Sequence, residues 1–220
     1  DKLHEAEQRV RDGQTQIRGT LRINAPMSFG VRVLAPVLPK FQLDHPRLEL
    51  QVVLSDEFVD PVRGGFDVTL RIAHIADSGL IARHLCDVPR VMVAAPGYLA
   101  RRGTPTHAEQ LAAHAWLGYG YLATGAHTLL TRGDETVRVA TTGPMCANNG
   151  EVLMQAAIGG LGIVLLPHFI VAEALARRAL EQVLPDWHAP ATAVYAMFPP
   201  NRRMPPRTRR LIDYLVEALT

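Results

Sequence analysis

Polar side chains that could hold a small anion stand at two chain turns, each between a strand-like run and a helix-like run. Ser28 lies in the turn Met27–Phe29, which follows the alternating run Leu21–Ala25, and all three residues of this turn are candidate ligand contacts. Asn148 and Asn149 stand just before a later helix-like run. The first amides of a helix lack intrahelical partners and carry the positive end of its dipole, so both turns suit a carboxylate. Ser and Asn are also preferred N-cap residues, and each of the three side chains fits a plain helix cap equally well.

Four further side chains complete the candidate site. Arg71 ends a strand-like run and could pair with a carboxylate through two parallel hydrogen bonds, although a structural ion pair is the commoner use of such an arginine. His74 follows in the next turn, where a solvated surface histidine is the alternative. Tyr119 could form a pocket wall, or simply end a strand beside Gly118. Phe198 closes the last strand-like run and could lie near a hinge.

Composition and motif content argue against several other kinds of chemistry. The net charge of +2, with 48% hydrophobic and 20% charged residues, is typical of a soluble globular protein of 220 residues. The sequence contains no phosphate-binding loop, nucleophile elbow or zinc-hydrolase motif, so we expect no catalytic site, no metal and no cofactor. No apolar run is long enough to cross a bilayer. The two cysteines, Cys86 and Cys146, are too few for a disulfide framework and suit a reducing cytoplasm.

The elements that must position the candidate side chains follow one another in an α/β order. Strand-like runs occur at Leu21–Ala25, Leu48–Leu54, Phe66–Ile72, Leu80–Cys86, Arg90–Ala95, Val137–Thr142, Leu161–Leu166 and Val194–Phe198. Between the first two, Leu34 to Phe41 has helical spacing, and Pro36 and Pro39 predict two short pieces because interior proline breaks the helical hydrogen-bond ladder. The last element is an amphipathic helix with apolar residues from Leu211 to Leu219 on one face.

Two units rich in strand–helix pairs are separated by the extended runs Arg90–Ala95 and Val194–Phe198. Two such crossings predict a hinge between two lobes, with the final helix returning to the first lobe. Ligands of open α/β sheets bind beyond the carboxyl ends of the strands. We therefore expect the turns at Ser28 and Asn149 to face each other across a cleft.

An ordered series of short motifs resembles the regulatory domain of the LysR-type transcription regulators. The series runs from Gly19 to Leu219 and comprises Gly19–Ile23, Leu34–Phe41, His45-Pro46, Leu48–Leu50, Gly65–Ile72, Asp77–Arg83, Ala94–Leu99, Gly160–Ile163, Leu166-Pro167 and Leu211–Leu215. The chain departs from the family pattern at His74 and at Arg178, which stands where the family usually has glycine.

The resemblance implies an α/β fold with two Rossmann-like lobes of the type 2 periplasmic-binding-protein-like fold, joined by two crossover strands. It implies that residues 19–93 and 195–220 form regulatory lobe I, that residues 94–194 form regulatory lobe II, and that residues 1–18 end a linker helix. The chain is then expected to be the effector-binding and oligomerisation domain of a bacterial regulator, whose N-terminal winged helix-turn-helix lies upstream of these residues.

The partners expected on this basis are a small organic effector between the lobes, a second copy of the chain in a homodimer or homotetramer, and DNA bound through the upstream domain. The two helix N-termini suggest a carboxylate as the effector. A solute-binding protein of a transport system with the same fold is the alternative, and the charged segment before the first strand argues against it.

Overall fold

The computed structural model describes residues 17–57, 64–73, 81–120, 127–198 and 204–219. The predicted linker segment 1–18 lies almost wholly outside them. The strands are β1 (Gly19–Ala25), β2 (Leu48–Leu54), β3 (Val68–Ala73), β4 (Ile81–Val88), β5 (Arg90–Ala94), β6 (Leu117–Tyr119), β7 (His127–Arg132), β8 (Glu135–Ala140), β9 (Met145–Ala147), β10 (Val164–Pro167), β11 (Glu181–Gln182) and β12 (Thr192–Phe198). The helices are α1 (Met27–Phe29), α2 (Ala35–Asp44), α3 (Pro96–Arg102), α4 (Gly150–Ile158), α5 (His168–Ala176) and α6 (Pro206–Leu219).

The larger sheet has five strands in the order β2-β1-β3-β12-β4. β1 runs parallel to β2 and β3, whereas β12 is antiparallel to both β3 and β4. Leu21, Ile23 and Ala25 of β1 are fully buried in the core that this sheet forms with α1, α2 and α6. We call this sheet with α1, α2 and α6 lobe I, and the elements from β5 to β11 lobe II.

The helix after β1 corrects the predicted break at Pro36 and Pro39. α1 continues through a wide π-helical turn, Gly30–Leu34, directly into α2, and Pro39 lies inside α2. The amide of Ala35 donates to the carbonyl of Gly30, five residues back, which is the mark of a π-turn. Pro36 follows this π-turn in the first turn of α2, and Pro39 stands within α2 without ending it.

Lobe II is built on the antiparallel sheet β10-β5-β11, with the parallel pair β6-β9 and the hairpin β7-β8 beside it. The hairpin turns at Gly133-Asp134, and Gly133 has a φ of 57° that favours glycine. Arg178 also has a positive φ, 57°, which explains why glycine suits this position better. Trp116 and Leu153 are among the buried residues around which lobe II packs.

Two chain crossings connect the lobes, and they are held to each other. The first passes through Pro89, between β4 in lobe I and β5 in lobe II, and the return crossing precedes β12. The hydroxyl of Thr192 donates to the carbonyl of Val88 at 2.9 Å, and Nη2 of Arg90 donates to the carbonyl of Pro190 at 2.7 Å. This pairing favours a lobe boundary near Pro89, and the predicted limits 19–93, 94–194 and 195–220 stay a prediction.

The final helix α6 returns to lobe I. Leu211, Ile212 and Leu215 are completely buried there, as the apolar face of the sequence predicts. The ring of Tyr214 lies 5.1 Å from that of Phe41, centre to centre, and its hydroxyl donates to the carbonyl of Val37 at 2.7 Å.

Candidate functional site

A cavity of about 350 Å³ lies between the two lobes, beyond the carboxyl ends of the parallel strands β1, β2 and β3. Lobe I, both crossings and lobe II contribute to its wall. Among the described residues, its lining comprises Pro26, Ser28, Phe29, Ser55, Asp56, Arg71, Ile72, Ala73, Arg90, Tyr119, Leu165, Pro167, Phe169, Ile170 and Thr192. Most of these side chains are apolar, so the cavity suits a small organic molecule with few polar groups.

Asp56 joins the two chain turns that the sequence placed across a cleft. Its Oδ1 accepts the amide of Met27 at the start of α1, at 2.9 Å. Its Oδ2 lies 3.5 Å from Nδ2 of Asn149 at the start of α4. The Asn149 side chain also caps α4, because its Oδ1 accepts the amides of Glu151 and Val152. A carboxylate of the protein itself thus already occupies part of the space between these helix starts.

Two arginines bring positive charge to the cavity wall. Arg71 donates to the carbonyls of Leu70 and Glu57, both at 2.9 Å. Burial lowers the pKa of the Arg71 guanidinium, and the charge of Asp56 partly offsets that effect. Arg90 enters from the first crossing, and burial lowers the pKa of its guanidinium as well. Within the described residues, Nε of each arginine is buried without a hydrogen-bond acceptor.

The lobes also touch directly at the edge of the cavity. The rings of Phe29 in lobe I and Phe169 in lobe II meet edge to face, with centroids 5.9 Å apart. Outside them, Arg32 pairs with both oxygens of Glu151 at 2.6 and 2.8 Å, and this bond raises the pKa of the Arg32 guanidinium. Each contact joins a lobe I residue to a lobe II residue, so any opening of the lobes must break or stretch both.

The structure brings four of the predicted site residues together in this cavity: Ser28, Phe29, Arg71 and Tyr119. Ser28 is 7% exposed, at the start of α1. Met27 contributes its amide to Asp56 but has a 40% exposed side chain outside the lining.

The other predicted residues are not among the described residues of the lining. Asn149 serves mainly as the cap of α4, and Asn148 is exposed beside it. Phe198 packs against the core of lobe I, away from the described lining. His74 lies outside the described residues.

Sequence reasoning missed Asp56 and Arg90. Asp56 follows β2 just as Ser28 follows β1, so the carboxyl end of a second parallel strand was the signal that could have found it. Arg90 had a weaker signal, since it is a charged residue opening an otherwise apolar run, Arg90–Ala95, that the sequence already marked as a crossing.

The described ranges hold neither a metal centre nor a membrane-spanning helix. No group of three or more His, Cys, Asp and Glu side chains there is arranged to hold a metal ion. In the same ranges, no helix combines the length and the apolar character that crossing a membrane requires.

Two α/β lobes, two crossings and an apolar cavity with buried cations between them define a bilobal domain that binds a small molecule. Residues 14–220 match the protein family described as the LysR substrate binding domain. The chain belongs to this family and is the effector-binding domain of a LysR-type transcription regulator. The predicted fold class, with two periplasmic-binding-protein-like lobes, is confirmed by the solved regulatory domains that share it.

Similar proteins carry the same domain within longer chains. The HTH-type transcriptional regulator PtxR of Pseudomonas aeruginosa is 37% identical over 210 residues, which are 96% of this chain and 67% of that protein. The solved regulatory domain of CrgA from Neisseria meningitidis is 30% identical with a TM-score of 0.78, covering 93% of this chain and 100% of that one.

The full-length Vibrio cholerae virulence activator AphB is also 30% identical with a TM-score of 0.78, covering 100% of this chain and 75% of that one. These relatives are transcription regulators and not enzymes, and they favour the regulator over the transport protein of the same fold.

Proposed function

We propose that the cavity between the lobes binds a small organic acid and that its occupancy changes how the regulator binds DNA. The observation that supports this most is the position of the cavity, which both lobes and both crossings enclose. A ligand that contacts both lobes prefers one lobe arrangement and shifts the population toward it. Because the regulator acts on DNA, we propose that it is located in the cytoplasm.

A carboxylate is the favoured chemistry because Arg71, Arg90 and the Ser28 hydroxyl all line the cavity. Asp56 is the one acidic side chain in the described lining and stands against two arginines. The remaining wall is apolar and includes the rings of Phe29 and Phe169. An acid with an aromatic or compact aliphatic body matches both parts of this wall.

Footprinting on DNA tests the regulator function directly. The full-length regulator, including its upstream domain, should protect a specific DNA sequence, and the 220-residue chain alone should protect none. A full-length protein without any sequence-specific protection would contradict the function. A change in the protected length on adding a cavity ligand would support the coupling between the cavity and the DNA.

We propose in addition that a second copy of this chain covers an apolar face that spans both lobes. Val31 and Val152 are 59% and 45% exposed, and they flank the Arg32–Glu151 pair on opposite lobes. A shallow apolar groove continues this face in lobe I, and Leu161 continues it in lobe II. An isologous dimer buries the same patch from both copies, which suits a continuous self-complementary face. A tetramer would need a further surface.

Val152→Glu should convert the dimer to monomer. A carboxylate forced into an apolar interface without a partner costs several kcal/mol, so the dimer Kd should rise by roughly 100-fold or more. Sedimentation equilibrium measures this Kd. Leu129→Glu, at a 48% exposed position on β7, is the matched control and should remain dimeric. An equal rise of the dimer Kd in both variants, or a monomeric wild type, would show that this face is not the interface.

A further inference from the structure

Arg90 occupies the place where the two crossings meet. It opens β5 directly after Pro89 and donates through Nη2 to the carbonyl of Pro190 on the return crossing, at 2.7 Å. The same side chain lines the cavity. Thr192, at the start of β12, lines it too and donates to the carbonyl of Val88. One edge of the cavity is therefore the hinge itself.

The positive charge of Arg90 has no negative partner among the described residues. Its one hydrogen bond there goes to a neutral carbonyl, and its Nε is buried without an acceptor. The charge of Asp56 acts on Arg71, whereas no charge of a described residue offsets the burial that lowers the pKa of Arg90. A buried cation without a counter-charge is costly, and an anion in the adjoining cavity would relieve that cost.

We propose that Arg90 is the residue that selects an anionic effector, by holding its charged group at the hinge while the apolar wall holds its body. This rests on the proposed function of the cavity and goes beyond it by assigning the ligand charge to one side chain. The described wall contains two cations and one carboxylate, so it favours an anion over a neutral ligand. Charge-assisted hydrogen bonds to a guanidinium are short and directional, which fixes the ligand against the crossings.

The placement gives the ligand charge a direct mechanical role. An anion bound by Arg90 competes with the Pro190 carbonyl for the same guanidinium, or adds to that bond and tightens it. In both cases, the contact between the two crossings changes when the ligand binds. A neutral ligand of the same shape would occupy the cavity without this change.

The test compares benzoate with benzamide, which have the same ring and differ in charge, on the 220-residue chain. Calorimetric titration should show benzoate binding to the wild type and benzamide binding at least about 10-fold more weakly. Arg90→Gln should weaken the binding of benzoate by roughly 10-fold to 100-fold and leave the affinity for benzamide nearly unchanged. The benzoate affinity of Arg90→Lys should lie between those of the wild type and Arg90→Gln, because lysine keeps the positive charge but lacks the planar guanidinium group. Arg138→Gln, at an exposed position on β8, is the matched control.

The melting temperature without ligand separates a binding role from a structural one. Arg90→Gln also loses the hydrogen bond to the Pro190 carbonyl, so its melting temperature without ligand should fall by about 2–4 °C, as expected for one such bond. A much larger loss of melting temperature, or equal benzoate affinity in Arg90→Gln and wild type, would overturn the proposal, as would a wild type that binds neither probe. A neutral compound that binds in the cavity independently of Arg90 would refute this inference alone and leave the proposed function standing.

Discussion

Gly143→Ala is expected to destabilise lobe II strongly, although the substitution adds only one methyl group. A Cβ at this position would lie 1.9 Å from the carbonyl oxygen of Trp116 and 2.7 Å from its amide nitrogen. Both atoms belong to the backbone just before β6, which is tied to the sheet through Ile163 and cannot rotate away. Overpacking of this kind costs about 3 kcal/mol or more, which lowers the melting temperature of a chain of this size by roughly 10 °C.

Gly97→Ala is the matched control for this prediction. The nearest atom to a Cβ there is Nη1 of Arg101 at 3.6 Å, an ordinary contact with the end of a flexible side chain. Because Gly97 lies in the first turn of α3, alanine should be neutral or stabilising by up to about 1 kcal/mol. Calorimetry on both variants measures the difference. Similar melting temperatures for the two would mean that the chain does not pass Trp116 as closely as described.

Phe41→Ala should destabilise the chain by a comparable amount, and it tests the return of the chain to lobe I. Phe41 is 1% exposed. Its ring packs against the ring of His45, which directly follows α2, and against the ring of Tyr214 in the final helix α6. Removing a buried phenyl ring leaves a cavity and costs about 3–5 kcal/mol. Urea unfolding should show this as a lower midpoint with an unchanged slope.

Leu43→Ala, two residues along the same helix, supplies the comparison. Leu43 is 80% exposed, and surface substitutions of this kind usually change stability by no more than about 0.5 kcal/mol. If Phe41→Ala were as mild as Leu43→Ala, the final helix would not dock on α2 as the structure has it.

The spacing of apolar residues predicted the strands and helices in which buried side chains recur at regular intervals. Leu48–Leu54 was predicted as a strand with the limits that β2 has, and the apolar face from Leu211 predicted the buried side of α6. The prediction at Pro36 and Pro39 was wrong because a rule about one residue cannot include a π-turn upstream, which depends on how Gly30 packs against Leu54.

The candidate site was predictable only where it depends on topology. The turn after β1 was placed beside the cavity because parallel strands end at a common edge, and Ser28 lines it. The role of Asn149 as a cap or a ligand contact was open, since both use the same side-chain oxygen, and the structure shows the cap. Arg90 had only a weak signal in the sequence, because its importance comes from burial and from the absence of a described acidic partner, and neither is visible in sequence.

Filling the cavity tests whether a small molecule binds between the lobes. A thermal-shift screen of metabolites on the wild type should find compounds that raise the melting temperature, because a ligand of the folded state stabilises it. Ala73→Phe, which places a ring in the cavity wall, should abolish these shifts, whereas Ala140→Phe on the exposed side of β8 should retain them. Compounds that stabilise Ala73→Phe as strongly as the wild type would contradict the account.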